Sequence, residues 1–281
     1  MTEQYAPKVC YNKITVFVQT RVCKCTVYSI ERIYKVQRVY NYIFYSYCKQ
    51  AMFASGGSSD RDQFYNEYGY APTVKVYESA FAQAKISVCH VQAPPIPPAI
   101  IGDQGTAALY ELAEGVFAAA TNNHVLPVTD AEFLIRIVFT FEGLGPITLS
   151  KDEIICCTSS KELDATVIEL TAQCVKRLQQ LGAKFIRLTT AREGDKIAMA
   201  QYPDGQFSFD KGAIHEIKDN ELYYYLGGAP GSSGSPILLW DYKAIGIHKE
   251  SGSRIEHRAL GPIRRGTSLL AIAVFHLAAS R

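Results

Sequence analysis

Long apolar runs are absent from this 281-residue chain. No stretch of about 18 uncharged apolar residues occurs, so no segment reads as a membrane-spanning helix. The first twenty residues interrupt their apolar positions with Glu3, Lys8 and Lys13. They lack the continuous apolar core of a secretory signal peptide. An excess of one charge is also missing, because 29 basic residues face 27 acidic ones for a net +2. That balance gives no reason to expect a nucleic-acid or membrane partner. No cysteine lies between Val175 and Arg281, where a secreted protein of this size would carry disulfides. Cys23 and Cys25, and the adjacent Cys156 and Cys157, are too close together to bridge each other with ease. We therefore expect reduced thiols and an intracellular compartment. Cys23 and Cys25 have no second close Cys/His pair beside them, so no metal site is expected.

What is there suffices for a packed core, since 48% of residues are hydrophobic and 20% charged. The length suits one large domain, or one domain with an attachment. The proline run Ala93-Pro94-Pro95-Ile96-Pro97-Pro98 divides the chain, and its fixed φ angles make residues 93–99 an extended connector. Residues 1–92 form an N-terminal extension of unknown fold. It is dense in tyrosine between Tyr28 and Tyr47, and Ser55–Asp60 has the composition of a loop. Ile14–Val18 reads as a strand, and Ile30, Ile33, Tyr34, Val36 and Tyr40 fit one face of a helix.

Residues 100–281 read as mainly β, with short apolar runs separated by turn residues. The runs are 105–110, 115–120, 134–141, 154–157, 164–170, 184–189, 196–201, 206–215, 221–226, 236–240 and 243–248. Asp204-Gly205 and Asp219-Asn220 are hairpin-type turns. Many short strands at this spacing indicate a barrel or sandwich. Residues 171–182 and 268–279 are the helical segments.

Chemistry concentrates in a few places. Gly231-Ser232-Ser233-Gly234-Ser235-Pro236 is a glycine-bounded turn ahead of the apolar strand Ile237–Trp240. Such a turn exposes a serine Oγ and aims backbone N–H groups at a developing oxyanion. The competing reading of the segment on its own, less favoured, is a flexible Gly/Ser loop. It does not fit Gly-x-Ser-x-Gly, because position 235 is serine and a strand follows. His124 ends the strand Val116–Ala120 within Thr121-Asn122-Asn123-His124-Val125. Asp164 opens the apolar run Ala165–Leu170. A lone histidine in a loop, or an aspartate before a strand, is ordinarily a surface or turn residue. Together, a serine, a base and an orienting carboxylate are what nucleophilic acyl transfer requires.

In the order His124, Asp164, Ser233, the segments "TNNHV", "DATVIEL" and "PGSSGSPI" resemble the signature segments of trypsin-like serine peptidases. The chain is most similar to the cysteine-poor branch, the glutamyl endopeptidases and HtrA-type or intracellular trypsin-like domains. The resemblance covers about residues 100–281. It implies a chymotrypsin-like fold of two six-stranded antiparallel β-barrels with a C-terminal helix. It implies a catalytic triad of His124, Asp164 and Ser233, and an oxyanion hole from the backbone N–H groups of Gly231 and Ser233. It implies no cofactor and no metal, and a protein or peptide substrate. Gly194–Met199 is similar to the opening of the second barrel. The chain departs from secreted trypsins at Ser232, where they carry an aspartate that receives a new N-terminus. Zymogen activation is therefore not expected. By the same resemblance Gly227 and Gly228 line the S1 pocket without an acid. His248 lies where glutamyl endopeptidases use a histidine, which favours Glu, Asp or Gln at P1. Competing with a serine endopeptidase is a catalytically silent trypsin-like domain that serves as a binding or signalling module; an esterase with the same triad is the weaker alternative.

Overall fold

The computed structural model describes residues 74–95, 104–127, 131–226, 229–257 and 261–280. The expected strand at 14–18, the helical face at 30–40 and the loop at 55–60 lie outside them. So do the Cys23/Cys25 pair and the S1 residues Gly227 and Gly228. Among the described residues no helix is long and apolar enough to cross a membrane.

The first half opens with helix α1 (Val74–Ala84) and strand β1 (Val88–Gln92). Strands β2 (Gln104–Ala113) and β3 (Val116–Thr121) follow, then helical turn α2 (Ala131–Leu134), β4 (Val138–Phe141) and β5 (Gly145–Ile147). Next come β6 (Ile154–Ser160), β7 (Ala165–Leu170), helix α3 (Ala172–Gln180) and the short β8 (Ile186–Arg187). The strands form one eight-stranded sheet in the order β5-β4-β1-β2-β3-β7-β6, with β8 added in parallel to β2. The second half holds β9 (Lys196–Gln201), β10 (Ser208–Lys218), β11 (Glu221–Tyr225), β12 (Pro236–Leu239), β13 (Ala244–His257) and β14 (Gly261–Ser268). These close into a six-stranded barrel, β10-β11-β14-β13-β12-β9. Helix α4 (Leu269–Ala279) ends the described chain.

The pattern expected from the sequence is mostly recovered, with informative differences. Asp204 and Gly205 both take positive φ (49° and 77°) between β9 and β10, and Asp219 does so (53°) between β10 and β11. Residues 134–141 do not form one strand. Leu134 and Ile137 are buried, but 131–134 is a helical turn and only Val138–Phe141 is extended. Short apolar runs do not separate helix from strand by periodicity alone. The boundary expected at residue 92 also differs. β1 lies in the middle of the first sheet, paired with β2 on one side and β4 on the other, as in Cys89 opposite both Ala107 and Phe141. It is buried on both faces along Val88–Val91, so it lacks the alternation that marks a half-exposed strand.

Three apolar clusters hold these layers. Leu109, Ala119, Phe139, Phe141, Ile168 and Leu178 fill the first half. Ile197, Met199, Tyr224 and Ile237 fill the second barrel. The third cluster joins the halves, combining Tyr110, Ala118 and Val167 with Leu238, Ile247, Leu269 and Ile272. Helix α1 is fastened to the second half by aromatic edges, with Tyr77 against Phe209 and Phe81 against Phe207.

Candidate active site

His124 stands at the end of β3 because the chain must turn there. Leu126 N–H donates to Asn122 O (3.0 Å), closing a tight loop. Val125 and Leu126 enter the core and leave the His124 side chain 48% exposed beside them. Asp164 is the last residue of the β6–β7 turn and takes a left-handed φ of 48°, which aspartate tolerates better than most residues. Leu163 N–H donates to Ser160 Oγ (3.1 Å) within that turn. The carbonyl of Asp164 accepts from Asn122 Nδ2 (2.9 Å), and that of Leu163 accepts from Thr267 Oγ1 on β14 (2.9 Å). The Asp164 turn is thus held from both halves of the molecule.

The two residues meet twice. His124 Nδ1 lies 2.8 Å from Asp164 Oδ2, and His124 backbone N–H donates to Asp164 Oδ1 at 3.0 Å. Burial works against the ionised carboxyl of Asp164. The side-chain and backbone hydrogen bonds from His124, with the charges of His124 and Lys249, outweigh it and hold the carboxyl below its usual range. An acceptor at Nδ1 places the ring hydrogen there and leaves the Nε2 lone pair as a base.

The serine turn comes from the other half and is fixed against β2. Thr106, fully buried, makes most of the connection. Its N–H donates to Ser233 O (2.8 Å), and its Oγ1 donates to Gly231 O (2.9 Å) and accepts from Tyr202 N–H (3.1 Å). Its carbonyl accepts from Thr121 Oγ1 (2.7 Å) on the strand that leads to His124. Gly105 is a second close approach. A methyl group there would meet the Val125 side chain at 2.8 Å and Ser233 O at 3.0 Å, so the loop bearing His124 and the turn bearing Ser233 lie on the same residue. Gly231 and Gly234 take φ of 92° and 88°. A Cβ at Gly234 would collide with Thr106 O and Thr121 Oγ1, so glycine is required for this docking. Ser232 is buried and its Oγ accepts from Ala229 N–H (3.1 Å), a local bond where secreted trypsins keep a carboxylate. Ser232, Gly234 and Ser235 commit their N–H groups to Ala229, His248 and Ser232 carbonyls. Those of Gly231 and Ser233 make no hydrogen bond to a described residue. Among the described residues, no hydrogen bond joins His124 Nε2 to Ser233 Oγ.

His248 is buried and is bound through its backbone to Ser235 O (2.8 Å) and Gly234 N–H (2.9 Å). Its Nδ1 lies 2.6 Å from the Tyr224 hydroxyl. Burial, then the charges of Arg264 and His124, push the imidazole down to about 4. No local pattern singles out Thr106, Asn122, Thr267 or Tyr224, because each acts through polar atoms at a tertiary contact.

No protein-family model and no curated protein matches the chain by sequence. Solved structures do resemble it. The active form of the Rv3671c protease from M. tuberculosis aligns with a TM-score of 0.54 at 15% identity, covering 74% of this chain and 86% of that one. The serine endoprotease from Yersinia pestis aligns at 0.53 and 17% identity, over 75% and 68%. The HtrA-type protease AlgWS227A with tripeptide aligns at 0.52 and 17% identity, over 71% and 62%. With its closed barrel, shared core and docked C-terminal helix, the chain has the chymotrypsin-like double-barrel fold of the HtrA-type serine proteases.

Proposed function

We propose that the chain is a serine endopeptidase that hydrolyses peptide bonds through an acyl-enzyme. Ser233 is the nucleophile, His124 the general base and then acid, and Asp164 the residue that orients His124. The observation that carries this reading is the double hydrogen bond between His124 and Asp164, beside a Ser233 turn locked on Gly105 and Thr106. Ser233 Oγ attacks the scissile carbonyl while its proton passes to Nε2. The oxyanion lies against the N–H groups of Gly231 and Ser233. The proton then goes to the leaving amine, and a water activated by the same imidazole releases the acyl group. A triad of this kind calls on no cofactor. The Nε2–Oγ hydrogen bond of such a triad tightens on substrate binding. Cys89, Cys156, Cys157 and Cys174 are thiols outside any disulfide among the described residues, which supports an intracellular setting.

His248 supplies the preference at P1. Burial keeps the Tyr224 phenol protonated, so it donates to His248 Nδ1 and leaves Nε2–H as the donor of a neutral ring. Such a donor suits the side-chain oxygen of Gln or Glu, and the nearby charge of Arg264 adds to the pull on a carboxylate. Fluorophosphonate labelling of the full chain, with peptide-library cleavage, tests both parts. Label on Ser233 that disappears in Ser233→Ala and weakens in His124→Ala is the expected result. An unlabelled, inactive wild-type chain would leave a silent binding domain instead. Cleavage after Arg, Lys or Phe would overturn the P1 assignment alone.

A further inference from the structure

A second cluster of reactive side chains lies where α4 packs on the first sheet. Cys156 on β6 and Glu169 on β7 are direct cross-strand partners. The Cys156 Sγ lies 3.5 Å from Glu169 Oε2, and the same oxygen is 3.0 Å from His276 Nε2 on α4. All three ligand atoms lie within 4.8 Å of one another. His276 is fully buried in a helix whose sequence, Leu269–Ala279, is otherwise apolar. Its other nitrogen, Nδ1, is 2.7 Å from Thr158 Oγ1, which is also buried.

We propose that Cys156, Glu169 and His276 form a binding site for a divalent transition metal of the zinc type, bracing α4 against the β6–β7 hairpin that carries Asp164 at its tip. Tetrahedral zinc with usual bond lengths separates a thiolate sulfur from a carboxylate oxygen by about 3.5 Å, and a carboxylate oxygen from an imidazole nitrogen by about 3.3 Å. The observed 3.5 and 3.0 Å lie within about 0.3 Å of these separations, and the sulfur and the imidazole nitrogen, within 4.8 Å of each other, close to about 3.6 Å around the ion. Thiolate with imidazole and one carboxylate selects zinc over magnesium or calcium. Thr158 supplies the second contact that metal-bound histidines normally make, accepting from Nδ1–H so that the Nε2 lone pair points to the ion. Binding moves the ring hydrogen from Nε2 to Nδ1 and releases the Cys156 thiol proton to solvent, so affinity rises with pH. Cys157 takes the opposite face of β6 and packs in the first core, which leaves it outside the ligand set. Glu169 keeps 17% of its side chain exposed, so the fourth position is open to water.

Metal titration of the full chain tests this with no need for activity. Cobalt(II) should bind at one equivalent with a thiolate-to-cobalt charge-transfer band, displaced by zinc. The band should vanish in Cys156→Ser and persist in Cys157→Ser. Thr158→Val, which leaves all three ligands in place, should weaken zinc binding by about 10–100-fold. Zinc should raise the unfolding midpoint of the wild type and not of Cys156→Ser. No saturable binding of either metal would overturn the proposal, as would a cobalt band unchanged in a folded Cys156→Ser chain.

Discussion

Replacing Thr106 by valine is the most direct trial of how the two halves are joined at the site. Valine keeps the shape of threonine and keeps the backbone bonds to Ser233 O and from Thr121 Oγ1. What disappears is the hydroxyl, with its bonds to Gly231 O and from Tyr202 N–H. Tyr202 is almost fully buried, so its orphaned N–H costs about 1–3 kcal/mol. The Gly231 carbonyl lies in a half-exposed turn where water can replace the lost donor, adding only about 0.5 kcal/mol. A combined loss of about 1.5–3.5 kcal/mol lowers the unfolding midpoint by roughly 3–14 °C in a domain of this size. Gly231 also supplies one proposed oxyanion donor. Releasing the Gly231 carbonyl loosens the turn that aims this N–H and should lower kcat by up to about 10²-fold with KM little changed. Differential scanning calorimetry and peptide hydrolysis read the two effects separately. Thr106→Ser keeps the hydroxyl and should stay near wild type in both. A Thr106→Val chain with the wild-type midpoint would refute the view of Thr106 as the inter-barrel clamp.

The remaining predictions are shorter. His248 titrates at about 4 when folded and near 6.5 when unfolded, so its contribution to stability is full above pH 6.5 and is lost on acidification toward pH 4. The loss is about 3 kcal/mol at most; thermal melts from pH 7 to 4 should show this slope, and His248→Gln should flatten it. Asp164, held below its unfolded value, contributes stability above pH 4 that disappears as pH falls through its folded value. Asp164→Asn should also lower kcat by about 10³–10⁴-fold while fluorophosphonate labelling slows in parallel, and normal turnover in that variant would remove Asp164 from the mechanism. Gly234→Ala forces a Cβ into Thr106 O at a left-handed φ and should give a destabilised chain, seen as a lower urea midpoint. Arg177→Met removes the bidentate partner of the buried Glu153 and should lower the unfolding free energy by about 1–3 kcal/mol, read as a lower urea midpoint.

Much of the second barrel was legible because its turns declare themselves. Asp204, Gly205 and Asp219 take left-handed backbone at the turn dipeptides read from the sequence. The proposed triad of His124, Asp164 and Ser233 rests in the sequence on the three as an ordered set, since each has an innocent reading alone. β1 was not legible, because a strand covered on both faces, with a buried His90 in its middle, shows neither alternation nor a clean apolar run. Thr106 was hidden for a different reason. Its value lies in contacts to Gly231 and Tyr202, far away in sequence, and no local pattern encodes such a partner. The Cys156, Glu169 and His276 cluster escaped in the same way, since metal-ligand spacing is readable only when the ligands are close neighbours in the chain.

The central place of β1 has a practical corollary for anyone shortening this protein. A fragment begun after the proline run would lack Val88–Gln92, leaving β2 and β4 facing each other across a gap of about 10 Å, two strand spacings wide. Both would then expose unpaired N–H and C=O groups along apolar strands, a template for pairing with other chains. Such a fragment should precipitate or swap strands between copies, and a peptide bearing the sequence of β1 should restore it to solution.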